Sequence, residues 1–96
     1  MSQYIFDWNS EKNILLKEKY GVCFEDIVAA LGAGKLLADD PHFNQKDYAH
    51  QRVFIIDIED YAFVVPYVED HPKKTIFLKT LYRSRKFTKL YLTSAS

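Results

Sequence analysis

Arg52-Val53-Phe54-Ile55-Ile56-Asp57-Ile58, then Glu59-Asp60, then Tyr61-Ala62-Phe63-Val64-Val65-Pro66-Tyr67-Val68 is the stretch that decides the fold. Both arms are rich in β-branched and aromatic residues, and a short acidic junction separates them, so the stretch reads as a β-hairpin. Pro66 has no amide proton to give to a ladder, which favours an edge position or a bulge there. Downstream, Glu69 to Lys74 with Pro72 reads as a turn, and Thr75 to Tyr82 as a third strand. Alternation along that strand puts Phe77, Lys79 and Leu81 on one face and Leu78, Thr80 and Tyr82 on the other. Arg83 to Leu92 reads as a closing helix, with Ser84 as its cap and Phe87, Leu90 and Tyr91 on its inner face.

Upstream of the hairpin, Tyr4 to Trp8 is aromatic-rich and reads as a short strand. Asn9 or Ser10 offers a side-chain oxygen to the free amides of a first helical turn. The helix formers of Glu11 to Tyr20 follow, with Leu15, Leu16 and Tyr20 on one face, and Gly21 as a left-handed stop. Phe24, Ile27, Val28 and Leu31 recur at the spacing of an amphipathic helix, which Gly32 and Gly34 end. The 13 residues from Ala38 to His50 are polar, begin Asp39-Asp40-Pro41, and read as a loop long enough to expect a role in function. The sum is a single α+β domain over 1–96: an N-terminal strand and two helices, an antiparallel three-stranded meander and a short C-terminal helix. It lacks the regular alternation of a parallel sheet.

Composition narrows the function classes. A 96-residue chain with 48% hydrophobic residues is long enough for one modest core and too apolar for disorder. One cysteine, Cys23, excludes an internal disulfide and a zinc site of thiolates. Met1-Ser2-Gln3-Tyr4 has no charged leader segment, and no apolar run approaches a membrane span, so the expected compartment is the cytoplasm. The 13 basic and 13 acidic residues cancel, but unevenly along the chain. From Lys73 onward there are seven basic residues and no acidic one, while residues 1–72 carry six basic and all 13 acidic residues. A basic end on a neutral chain fits a polyanion, an acidic partner surface, or a solvated terminal helix.

Three blocks resemble the BrnT family of bacterial toxins within the RelE-like ribonuclease superfamily. The first is Phe6-Asp7-Trp8-Asn9 with Glu11-Lys12-Asn13. The second is Lys19-Tyr20-Gly21-Val22-Cys23-Phe24-Glu25-Asp26, similar to the family pattern Lys-His-Gly-Val-Ser-Phe-Glu-Glu. The third is Arg52 at the head of the hairpin together with Ser84-Arg85-Lys86 after the last strand. Tyr20 stands where the family commonly has His, and Cys23 where it has Ser, which weakens the expected cap of the second helix and removes half of a capping box. The resemblance implies the toxin of a type II toxin–antitoxin module: an endoribonuclease acting on mRNA without metal or other cofactor. It also implies a cognate ribbon-helix-helix antitoxin that neutralises the toxin in a hetero-oligomer.

Cleavage of RNA without metal needs a base for the 2′-OH proton, cations for the scissile phosphate, and an acid for the leaving 5′-oxygen. Arg85 is the leading candidate, because a guanidinium grips phosphate in a bidentate way. Arg83 and Lys86 flank it and, at a helix start, would fan around one anion. Arg52 matches a family arginine. His50 is the imidazole placed for acid–base work, and Lys79 is a cation between two large apolar residues. Lys86, Lys89, Tyr82 and Tyr91 complete the set as RNA-binding residues, the tyrosines by stacking on a base or donating a proton. Each has an ordinary alternative. Lys79 suits the protection of an edge strand equally well, and His50 a polar loop. Phe6, Trp8, Phe24, Phe54, Phe63 and Phe77 lie on periodic apolar faces and read as core. His42 and His71, with Asp39 and Asp40, lack the spacing of a metal site. Cys23 reads as a small apolar residue at a helix start. The rival to the enzyme is a non-catalytic toxin-like protein that only binds its antitoxin or RNA.

Overall fold

The computed structural model describes residues 4–92; the Met1-Ser2-Gln3 segment read above for a leader lies outside them. The chain runs β1 (Ile5–Asp7), α1 (Ser10–Tyr20), α2 (Phe24–Gly32), β2 (Leu36–Pro41), β3 (Arg52–Ile58), β4 (Tyr61–Asp70), β5 (Thr75–Leu78), β6 (Tyr82–Arg83) and α3 (Arg85–Tyr91). The fold is α+β, with three helices and a mixed sheet ordered β1-β5-β4-β3-β2, β6 pairing with β4. All pairs are antiparallel except β1 with β5, which run parallel with Ile5 opposite Thr75.

The local signals at the helix ends hold. The Asn9 side chain accepts from the Lys12 amide at 2.9 Å, and Gly21, at φ 73°, sends its amide to the Lys17 carbonyl. At α2 the Asp26 carboxylate reaches back to the Cys23 amide at 2.9 Å and accepts from the thiol at 3.3 Å, closing the return arm of a capping box. Ser84 caps α3 by accepting from the Phe87 amide. Leu15 departs from expectation. It is 63% exposed while Leu16 is buried, because neighbouring helical positions diverge by about 100° and α1 turns only a narrow stripe inward.

The hairpin β3–β4 forms in the expected register, Arg52 opposite Tyr67 through Ile58 opposite Tyr61. Its two-residue turn places Glu59 at φ 52° and Asp60 at φ 67°, the left-handed pair that matches strand twist, and Asp57 Oδ1 accepts from the Asp60 amide. In such a hairpin Ile58 and Tyr61 form a hydrogen-bonded pair, and by alternation the nitrogen of Pro66 faces away from β3. There the chain leaves the sheet. The expected strand from Thr75 to Tyr82 is two strands, with Lys79 to Leu81 crossing between β5 and β6 and the Lys79 amide donating to the Pro66 carbonyl at 2.8 Å. Pro66 therefore sits in a central strand, opposite the break.

The expected meander of three strands is corrected to a six-stranded sheet. Leu36 to Pro41, of which Ala38 to Pro41 were expected to open a loop, is an edge strand against β3 with a register shift between Leu36 and Ala38. Its sequence hides it: Asp39, Asp40 and Pro41 suit an edge, where few side chains need burial and charge discourages further pairing.

Both faces of the sheet are covered, which explains the near-continuous apolar runs of the hairpin. On one face α1 and α2 bring Leu16, Phe24, Ile27 and Ala30 onto Phe54, Ile56, Phe63, Val65, Tyr67, Leu78 and Leu81. The other face carries Val53, Ile55, Ala62 and Val64 under Leu37, Tyr82, Phe87 and Leu92. Leu78 and Leu81 share the first face because the crossing breaks the alternation expected for one strand. On α3, Phe87 faces the sheet while Leu90 is 64% exposed and so does not belong to an inner face. Of the rings read as core, Phe24, Phe54 and Phe63 are buried and Phe6 and Trp8 pack against them, whereas Phe77 is partly buried outside both clusters.

Candidate functional site

The break opposite Pro66 opens a cavity of about 350 Å³ lined by Lys12, His42, Tyr48, Gln51, Pro66, Lys79, Thr80 and Tyr82. Each wall has a structural cause. Lys79 lies on the crossing segment, anchored through its backbone to Pro66, with Nζ 5.5 Å from the Phe77 ring centre. Tyr82 opens β6, and burial raises its phenol pKa above the ordinary tyrosine value. Lys12 enters from the first turns of α1. His42 continues β2 by one residue, its amide donating to the Gln51 carbonyl at 3.0 Å.

The connection from His42 to Gln51 is ordered by its own hydrogen bonds. Asn44 accepts from the Tyr48 amide through its carbonyl, and its side-chain amide donates to Asp47. The Gln45 side-chain amide donates to the His42 carbonyl at 2.6 Å. His42 Nδ1 accepts from the Asn44 amide at 3.1 Å, which leaves Nε2 to carry the proton of the neutral ring. The Tyr48 ring lies 4.6 Å from the imidazole, centre to centre.

A second cavity of about 370 Å³ adjoins the first through Gln51 and holds His50, Arg52, Glu69 and His71. His50 is exposed there. Arg52 is not free. Its Nε lies 3.2 Å from Asp39 Oδ1, and its terminal nitrogen donates to the Asp39 carbonyl at 2.9 Å. Tyr67, stacked on Phe54 at 4.0 Å, donates from its hydroxyl to the same Asp39 oxygen at 2.6 Å. Burial, and then the Asp39 hydrogen bond, push the Tyr67 phenol far above its usual range. The hydrogen bond with Tyr67, and then the Asp39 charge, hold the Arg52 guanidinium in its protonated form.

The remaining cations do not converge. Successive residues of β6 point to opposite faces, so Tyr82 reaches the first cavity while Arg83 lies on the other side, 5.5 Å from the Tyr20 ring of α1. Arg52 and Arg83 oppose Tyr67 and Phe63, four residues apart on β4, about 13 Å along the strand. Arg85, Lys86 and Lys89 are exposed on α3, beside Tyr91. Of the three cations expected to fan around one anion, Arg83 lies over the Tyr20 ring on the α1 side and Lys86 over the Phe87 ring on the α3 side, so these two sit on opposite faces of the sheet. The structure does bring Lys79 and Tyr82 into one cavity, and His50 and Arg52 into the other.

His42, Tyr48 and Lys12 were not read as partners of Lys79. They come from three distant segments, and the only local signal was a histidine directly after Pro41. Among the described residues no three His, Cys, Asp or Glu side chains gather as metal ligands, and no helix is long and apolar enough to cross a membrane.

Fold and site together define an α+β domain whose central sheet is covered on both faces and opens, at a split strand, onto a cleft of lysines, an imidazole and phenols. No family model, curated protein or solved structure matches the chain.

Proposed function

We propose that the protein is a toxin of a type II toxin–antitoxin module. On this reading it is a RelE-like cytoplasmic endoribonuclease of the BrnT kind that cuts mRNA without metal and is silenced by a ribbon-helix-helix antitoxin in a hetero-oligomer. The observation that carries this reading is the cleft joining Lys79 and Lys12 to His42, Tyr48 and Tyr82. Two ammonium groups suit the non-bridging oxygens of a phosphodiester, and an imidazole beside phenols suits proton transfer. In the reaction a base takes the 2′-OH proton, O2′ attacks phosphorus, and the bond to O5′ breaks as that oxygen gains a proton. The products are a 2′,3′-cyclic phosphate and a 5′-hydroxyl. His42, with its proton on Nε2, is assigned the delivery of a proton to O5′, and Lys79 the charge that builds on phosphorus.

One observation favours the non-catalytic rival. The guanidinium of Arg52 is already neutralised by Asp39 and so does not offer itself to a phosphate. The test is cleavage of an end-labelled single-stranded RNA by the purified chain. We expect cyclic-phosphate ends, and a loss of about a hundredfold in rate on Lys79→Ala. A chain that folds, cuts no RNA and arrests no growth on expression leaves only the binding reading.

A further inference from the structure

Five aromatic rings run in contact from the cleft, which His42 and Tyr48 line, across to α3, and the proposed cleavage uses only those two. Tyr48 lies 4.6 Å from His42, His42 lies 5.5 Å from Phe43, Phe43 stacks on Phe87 at 5.6 Å, and Phe87 stacks on Tyr91 at 6.0 Å. The last two pairs are inclined by only 25°, so Phe43, Phe87 and Tyr91 form a row of nearly aligned planes. Core packing accounts for Phe87, which lies on the sheet, but not for the outer rings. Phe43 is 54% exposed and Tyr91 39% exposed, although a soluble domain gains by burying such rings.

The surroundings are cationic. Lys86 Nζ stands 5.7 Å from the centre of the Phe87 ring, and Arg85 and Lys89 lie on the same short helix. Among the described residues none of these three forms an ion pair with a carboxylate. The row begins at His42 and Tyr48, which also line the cleft.

We propose that this row is a stacking track for the unpaired bases of a single-stranded RNA, with Arg85, Lys86 and Lys89 following its phosphates. This rests on the reading of the cleft as an RNA site and specifies the substrate as single-stranded. The outer rings of the row, Phe43 and Tyr91, are the exposed ones; an exposed ring accepts any base, because every base has a π-face, and flanking cations track the backbone without reading sequence. Paired bases present no free faces, so a duplex has no use for the row. Charge also favours RNA over an apolar protein segment, which would leave the three cations facing nothing of opposite sign.

The experiment separates binding from cutting. A 2′-O-methyl 12-mer carrying 2-aminopurine has no 2′-hydroxyl to react, so it reports binding alone. We expect saturable binding with quenched fluorescence, and weak binding of the same sequence as a duplex. Phe43→Ala and Tyr91→Ala each weaken binding about tenfold. Phe43→Leu, which keeps apolar volume, weakens it nearly as much, whereas Tyr91→Phe restores it. Lys86→Gln lowers affinity and flattens its salt dependence without abolishing the quench. The proposal is overturned if the duplex binds as well as the single strand, if Phe43→Leu is silent, or if no oligonucleotide binds. A dimer that dissolves on Phe43→Ala, with no oligonucleotide bound, would assign the row to a second copy of the chain. Binding with quenching by a chain that cuts nothing sustains the track and removes only the catalytic assignment.

Discussion

On the face of the sheet beneath α1 and α2, Phe24, Ile27, Ile56, Val65 and Leu78 have no solvent exposure at all. On the opposite face, α3 contributes no buried residue, and Phe43, Tyr48 and Tyr91 remain in contact with water. One sheet thus carries a layer sealed by two helices and a layer whose Val53, Ile55, Ala62 and Val64 are equally buried but whose covering segments leave aromatic surface in water. The contrast shows a division of labour. The sealed face holds the sheet in register, and that rigidity frees the other face to present side chains. The cleft lies where the two regimes meet, at the break between β5 and β6, with Lys12 reaching it from α1 and Tyr82 from the α3 side.

The sharpest way to break the comparison is to truncate one ring on each face. Phe24→Ala removes a fully buried ring and should cost about 3–5 kcal/mol in urea denaturation. Phe87→Ala removes a half-buried one and should cost about 1–2 kcal/mol, since less area leaves water in the first place. Equal losses would mean that α3 is as integral to the core as α2.

A second measurement probes the edge of the sealed face. Tyr67 titrates far higher in the folded chain than the ordinary phenol, so folding favours its neutral form. Stability is then insensitive to this group below about pH 10 and falls as the pH rises past it, by at most about 1.4 kcal/mol per pH unit. Tyr67→Phe should flatten that alkaline limb. At the acid end, the Cys23 amide holds the Asp26 carboxyl below its usual value. Its contribution is present above about pH 4 and disappears as the pH falls through the lower folded value, so Asp26→Asn should shallow the acid limb in a pH series of melting temperatures. The smallest effect belongs to the hairpin turn. Asp60 holds φ 67° without being glycine, and Asp60→Gly should stabilise by about 0.5–1 kcal/mol if relief of that strain outweighs the entropy glycine adds to the unfolded chain.

Features written in consecutive residues were legible in the sequence. Asn9, Gly21 and Ser84 mark helix ends, the Phe24–Leu31 spacing marks an amphipathic helix, and the two arms around Glu59-Asp60 mark a hairpin. What depends on partners far along the chain was not. β2 looks like a loop until β3 is beside it, and the Arg52–Asp39 ion pair was hidden by the same misreading. The division of Thr75 to Tyr82 follows from Pro66, which faces it from another strand. At the cleft, Lys79 and Tyr82 were singled out as chemistry-bearing, but nothing local joins them to Lys12, His42 or Tyr48. Arg83 was grouped with Lys86 by adjacency, yet the two turn to Tyr20 and Phe87 on opposite faces of the sheet.

The parallel pairing of Ile5–Asp7 with Thr75–Phe77 bears on how the molecule is born. As the nascent chain leaves the ribosome, β1 and the two helices behind it emerge before the strands they pack on are translated. At ordinary elongation rates that interval lasts seconds, far longer than helix formation takes. The amphipathic Phe24–Leu31 face must wait, naked or chaperoned, until the hairpin arrives. Premature termination before β5 would leave the opening strand with no neighbour to join.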